Sequence, residues 1–263
     1  MRFYQKNTRK NIKKYKAQRG GQTLSIFNRN KQKDTISNQY TSRYIDILSA
    51  YIGRSRIRQS AFFKDVLEGY GWFANFSEGF IRFGDDEYPI QLLGSESYKS
   101  YTWQWAIENT NNFSEDVLKD AYLLYNSSLM ENIPDLKSIK LPLSDAINGH
   151  CISAIASAAH YEKTVYYRCP YDGGAVFVLV KNIQSSVFMP AGPSDVSKHI
   201  ADLIKELPLN HRLLVKNMLM DNCESVEGTT TSLIGHFPGN SSLAIDFTME
   251  GKLSNMRLAS EGC

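Results

Sequence analysis

Two runs rich in β-branched and aromatic residues, TVYYRCPY and AVFVLVKN, are separated by Asp172-Gly173-Gly174. A connection that short forces the runs to pair antiparallel, because a parallel crossover needs about a dozen residues or more. The same grammar recurs elsewhere. YGWFANF and the segment after it, GFIRFG, are split by Ser77-Glu78-Gly79, which predicts a hairpin and the start of a β-meander. In SYTWQWAIEN, Tyr101, Trp103, Trp105 and Ile107 alternate with Thr102, Gln104, Ala106 and Glu108, and this period of two predicts a strand with those four apolar residues on its buried face. The chain closes on TTSLIGHF, SLAIDFTM and KLSNMRLA, strands divided by the turns Pro238-Gly239-Asn240 and Glu250-Gly251.

Helical spacing fills the gaps between these groups. Ile45, Leu48, Ile52, Ile57, Ala61 and Val66 predict one helix or two short ones, with Gly53 as a weak point. Ser114 is placed to cap a helix whose first turn carries Glu115 and Asp116, acids that favour the positive end of the helix dipole. Residues 144–160 are alanine-rich and predict a tightly packed helix. From Pro193 to Leu207 the apolar residues Val196, Ile200, Leu203, Ile204 and Leu207 line one face, and Pro208 ends the run. Asn210 then caps a last helix over HRLLVKNMLM. Strands thus cluster with strands and helices with helices. The expected class is α+β, mostly antiparallel β-meanders packed against several helices, with no internal repeat.

Charge divides the chain differently. Residues 1–33 hold 11 of the 30 Lys and Arg and none of the 27 acids, so the remainder carries 19 bases and a balance of −8. The expected organisation is a basic, weakly structured extension over residues 1–41 joined to an acidic α+β domain over 42–263, with two sub-lobes dividing near 130–145 as the alternative. In the extension Arg9, Lys10, Lys13, Lys14, Lys16 and Arg19 would attract phosphate by displacing counterions, and Arg54, Arg56 and Arg58 carry the basic character into the first helix. The simpler account of such a run is a solvated tail, or one folded back on the acidic body. With 42% apolar residues the domain has ample material for a core. No run approaches the roughly 18 to 20 apolar residues of a membrane span, and no secretory signal is evident, so the expected setting is the cytoplasm, with Cys151, Cys169, Cys223 and Cys263 reduced.

Several chemistries are disfavoured by missing signatures: a phosphate-cradling P-loop, a dinucleotide-binding glycine motif, the zincin H-E-x-x-H and the hydrolase G-x-S-x-G. No cofactor is implied. Cys151 near a helix start is a candidate nucleophile, since the dipole favours a thiolate, but adjacent His150 points about 100° away and a packed, inert thiol explains the residue as well. Asp195, His199 and Asp202 share one helical face and could ligate a metal, or simply face water. Asp246, Glu250 and Lys252 faintly follow a nuclease pattern, although the turn already accounts for Gly251. Asp85, Asp86 and Glu87 form an acidic knot suited to a basic partner, or to solvent alone.

The order of these motifs resembles an uncharacterised bacterial family of the domain-of-unknown-function class. Its G-[ST]-x-[SN] turn is matched by Gly94, Ser95 and Ser97, and its T-W-x-W-[AG]-x-x-N strand by Thr102, Trp103, Trp105, Ala106 and Asn109. Its closing F-D-x-x-G-[RK]-[IL] hairpin is matched by Phe247, Gly251, Lys252 and Leu253, with Thr248 in place of the acid. The resemblance spans about residues 60 to 260 and carries over no catalytic residue. It implies an immunity or accessory protein of a bacterial conflict system. The leading expectation is therefore a non-catalytic intracellular binding protein that neutralises a partner protein, using Asp85, Asp86, Glu87 and the polar residues Glu96, Tyr98 and Gln104 beside the tryptophans. One alternative is a nucleic-acid-binding protein working through its basic tail. Another is a cysteine- or carboxylate-dependent enzyme or toxin.

Overall fold

The computed structural model of the chain describes residues 2–4, 42–160 and 163–260. The predicted hairpin is present: β7 (Val165–Tyr171) and β8 (Gly174–Val180) pair antiparallel from Tyr171↔Gly174 to Val165↔Val180. Ahead of it in the chain come β1 (Arg2–Tyr4), the helix α1 (Ser42–Phe62), β2 (Trp72–Asn75), β3 (Phe80–Phe83), β4 (Asp86–Ser97) and β5 (Thr102–Trp105). The helices α2 (Glu115–Tyr125) and α3 (Ser128–Glu131), the short β6 (Lys140–Pro142) and the helix α4 (Gly149–Ala159) then lead into the hairpin. After it follow the helices α5 (Pro193–Glu206) and α6 (His211–Asn222), then β9 (Ser225–Gly228), β10 (Ser232–Phe237), β11 (Ser241–Phe247) and β12 (Leu253–Ser260).

Among the described residues these strands form an eight-stranded sheet, β1 to β8, and a four-stranded sheet ordered β12-β11-β10-β9. Every pairing is antiparallel, and the class is α+β as expected. The hub is β4, which pairs with β3 through Asp86–Pro89, with β8 along Ile90–Ser97 and with β5 through Gly94–Ser97.

Both faces of this hub are covered. On β8, Ala175, Phe177 and Leu179 enter one core while Val178 and Val180 enter another. A strand buried on both sides has no polar alternation to show, which is why AVFVLV reads as continuous apolar sequence. The larger core joins Trp103 and Trp105 to Leu48 and Ile52 of α1, Ile152 and Ile155 of α4, and Ile200, Leu214, Met218 and Ile245 from the C-terminal elements. The smaller gathers Phe62, Phe76, Ile81, Phe83, Val117 and Leu118.

The helix ends follow local chemistry. Asn148 accepts the Cys151 N–H at 3.0 Å and Asn210 the Leu213 N–H at 3.1 Å, each satisfying a donor that the helix leaves unpaired. Ser114 stands at the cap of α2 without a side-chain cap bond. Gly53 does not break α1, which runs unbroken for 21 residues. A Cβ there would sit 2.3 Å from Cγ of Met218, so the glycine is the point where α1 meets α6.

Several expectations need correction. The alanine-rich helix begins at Gly149, since Ser144 to Asn148 form a loop closed by the Ile147 N–H bond to Ser144 Oγ at 2.9 Å. Trp103 and Trp105 are buried on one face of β5, but Tyr101 lies in the turn before it and is 71% exposed, and Ile107 belongs to a 3₁₀ turn. Gly94 and Ser95 are not a turn. They lie inside β4, where the Trp103 ring and the Gln104 carbonyl close over Gly94 so tightly that a Cβ would meet them at 2.4 and 2.5 Å. At the N-terminus, Arg2–Tyr4 is a strand paired with β2.

Candidate functional site

The last turn of β4 and the β7–β8 hairpin end side by side, with Ser97 opposite Gly174 and the Tyr98 N–H donating to the Gly173 carbonyl at 2.9 Å. This register brings Tyr98, Arg168 and Tyr171 together. Arg168 donates to the Tyr98 hydroxyl, and its guanidinium carbon lies 5.9 Å from the Tyr98 ring centre. The Tyr171 hydroxyl donates to the backbone oxygen of Glu96 at 3.3 Å. Beyond Tyr98 the chain reverses through Tyr101, whose φ of +51° is uncommon for a bulky side chain. That conformation is fixed from both sides: the Ser100 N–H donates to Ser97 Oγ at 3.3 Å, and the Leu143 N–H to the Tyr101 carbonyl at 2.8 Å.

Beneath this aromatic edge lies a carboxylate. Glu96, expected among the partner-facing residues, is 3% exposed; its Oε1 accepts the Gly149 N–H at 2.6 Å, at the N-terminus of α4. Burial raises its pKa, while the Gly149 N–H and the charge of Arg168 favour the ionised form. Glu96 is therefore a support and not a contact. Next to Gly149, the ring of His150 stands edge-on to Phe177 and its Nδ1 is 3.2 Å from the Tyr166 hydroxyl. Burial, with the charges of Arg168 and Arg56, lowers its pKa to about 3, so the imidazole is neutral at ordinary pH.

The remaining candidates separate. Cys151 is 2% exposed and burial pushes its thiol up to about 12, so the helix dipole is outweighed and no thiolate is available. Ile147, Ile152 and Ile155 share its core. Asp195, His199 and Asp202 lie along α5, where Asp195 faces solvent, and burial, with the Arg56 charge, lowers the pKa of His199. No cluster of three or more His, Cys, Asp or Glu among the described residues is arranged to hold a metal. Asp246 pairs with Arg257 at 3.0 Å, and Glu250 lies in the β11–β12 turn.

Asp85, Asp86 and Glu87 are all exposed where β3 turns into β4, with Glu87 paired to Arg82 at 2.8 Å. Gln104 is half-buried and lines a cleft of about 80 Å³ with Trp105, Asn109 and Phe113, far below the roughly 300–1,000 Å³ of a small-molecule site. Arg9, Lys10, Lys13, Lys14, Lys16 and Arg19 lie outside the described residues. Arg168 and Tyr171 were not singled out from sequence, and Tyr101 was read there as a buried strand residue. The signal available for them was the hairpin register itself, which sets Tyr171 opposite Gly174 and Gly174 opposite Ser97.

This arrangement defines an α+β protein whose antiparallel sheet carries a half-buried group of Tyr98, Arg168 and Tyr171, with the exposed Tyr101 in the turn that follows β4. Residues 45–183 match the model of DUF6882, a family of unknown function, and the chain belongs to that family. The match starts at α1 and ends just beyond β8, so the closing β11–β12 hairpin of the sequence resemblance lies outside it. No curated protein and no solved structure matches the chain. Among the described residues no helix is long and apolar enough to cross a membrane.

Proposed function

We propose that the chain is a cytoplasmic binding protein that engages a protein partner through the edge formed by Tyr98, Tyr101, Arg168 and Tyr171. The observation that carries the reading is Tyr101, held at φ +51° and 71% exposed. Left-handed backbone at a bulky residue costs of order 1–3 kcal/mol and persists where the surroundings enforce it, commonly at functional sites. Tyrosine and arginine are also the residue types in which interface energy concentrates. Support comes as well from the groups that could have done chemistry, since the Cys151 thiol and the His150 imidazole are both shut into the fold. Neutralisation of a toxin, the role that the sequence resemblance implies, is the form of binding proposed.

The test is co-expression with the products of neighbouring genes, followed by reconstitution of any complex from purified components. Tyr101→Ala and Tyr98→Ala are each expected to weaken the complex at least tenfold, while the combined Asp85→Asn, Asp86→Asn, Glu87→Gln variant changes mainly the association rate and its salt dependence. Unchanged affinity in both tyrosine variants would refute the assignment.

A further inference from the structure

The three arginines of the first helix separate in the structure. Arg56 turns to Glu206 of α5, whereas Arg54 and Arg58, one helical turn apart, open onto a pocket of about 200 Å³ that Phe188, Met189 and Asp221 help to wall. Arg54 is already committed. Its Nε donates to Asp221 Oδ2 at 2.9 Å, a second nitrogen donates to Oδ1, and a third donates to the Ala158 carbonyl at 3.2 Å. Asp221 is thereby occupied. Among the described residues Arg58 makes one hydrogen bond, from Nη1 to the Ser157 carbonyl at 3.2 Å, and no ion pair. Its guanidinium carbon lies 5.3 Å from the centre of the Phe188 ring, and Lys163 Nζ lies 5.8 Å from the same ring.

Among the described residues that line the pocket, two guanidiniums thus face one carboxylate, which Arg54 already holds, an excess of about one positive charge centred on Arg58. Burial, and then the nearby Arg54 charge, work against the charged form of Arg58, yet a guanidinium does not give up its proton in a protein. An anion entering the pocket would relieve both penalties. A phosphate group balances that excess and, with more oxygens than a carboxylate, can accept from more than one guanidinium nitrogen. Phe188 and Met189, the latter 64% exposed, form part of the wall.

We propose that this pocket binds a phosphate group, carried either by free phosphate or by a phosphate ester, with Arg58 as its principal ligand. The proposal does not rest on the tyrosine edge and stands or falls separately from it.

The experiment is calorimetric titration of the full chain with inorganic phosphate, phenyl phosphate and acetate, alongside ¹⁵N spectra of the arginine Nε groups. Saturable binding of a phosphate probe is expected, with Kd of about 1 mM or tighter and weaker binding of acetate. Arg58→Gln is expected to reduce phosphate affinity at least tenfold, and Arg257→Gln, which removes the partner of Asp246 on β12, to leave it unchanged. Tighter binding of phenyl phosphate would mark an ester as the ligand, and equal binding would mark the free anion; either supports the site. Should Arg58→Gln fail to fold, the wild-type spectra decide, since the Arg54 and Arg58 signals must move on titration. Absence of saturation, undiminished binding by Arg58→Gln, or shifts confined to other arginines would overturn it.

Discussion

Glu96 shows how a single side chain can organise a surface without belonging to it. Its carboxylate takes the Gly149 N–H while its backbone oxygen takes the Tyr171 hydroxyl, so one residue ties the start of α4 to the aromatic edge. The folded protein raises its pKa, which means that the folded state holds its proton more tightly than the unfolded chain does. The associated stability is present below the unfolded value near 4.5 and is lost as pH rises through the folded pKa. Glu96→Gln keeps an acceptor for Gly149 and removes the titration. Thermal melts at stepped pH from the acid side to neutrality should show the wild type losing stability relative to Glu96→Gln as pH rises above about 4.5; a constant difference would contradict it. The burial of Glu96 could not be read from sequence, because the N–H that satisfies it belongs to a residue 53 positions away. Asp85, Asp86 and Glu87 were legible as exposed, since three consecutive acids have no affordable way into a core. Tyr101 was misread because alternation of residue types does not reveal where a strand starts, and here β5 begins one residue after it.

Elements meet at two glycines, and both show packing overriding local preference. Glycine inside a helix costs about 1 kcal/mol relative to alanine, so Gly53→Ala would strengthen α1 taken alone. In the protein the new Cβ would lie 2.3 Å from Cγ and 2.6 Å from Sδ of Met218, a side chain that is itself fully buried. Overpacking of that kind costs roughly 1–3 kcal/mol, enough to cancel or reverse the gain. At Gly94 nothing offsets the clash, because the obstacles are the Trp103 ring and the Gln104 backbone of the paired strand. Gly94→Ala is expected to lower unfolding free energy by about 3 kcal/mol, and Gly53→Ala by less, with Met218→Ala reducing the extra loss at Gly53 but not at Gly94. Denaturant unfolding of the singles and doubles measures this, and equal coupling of Met218 to both glycines would show the assignment of the contacts to be wrong. These glycines also mark what sequence reading reaches at this scale. Turn residues and helical periodicity located the β7–β8 hairpin, α5 and α6, where local chemistry decides. They did not locate β6 or β9, three and four residues long, which are strands only because a partner holds them. The family resemblance placed a turn at Gly94, where the glycine instead answers a neighbouring strand.

At the scale of the whole molecule, the family boundary and the packing boundary do not coincide. The family match ends at residue 183, yet the larger core continues past it: Val196, Ile200 and Leu203 of α5, Leu214, Val215 and Met218 of α6, and Leu243 and Ile245 of β11 pack in one cluster with α1, α4 and the two tryptophans. Polar ties cross the same boundary, since Arg54 pairs with Asp221, Arg56 with Glu206, and the Asn210 N–H donates to Ser49 Oγ at 2.9 Å. A chain of residues 42–183 would keep β2–β8 and the smaller core except Val187 but leave α1 with one covered side, exposing Leu48 and Ile52 to water. A contiguous apolar surface of that kind favours association or loss of fixed packing. The fragment is expected to retain helical and strand signal in far-ultraviolet circular dichroism while binding a hydrophobic dye and lacking a cooperative thermal transition. Adding residues 184–263 as a separate chain should restore the transition. If the fragment alone unfolds cooperatively as a monomer, the matched segment is self-sufficient, and α5, α6 and the four-stranded sheet are an attachment and not half of the core.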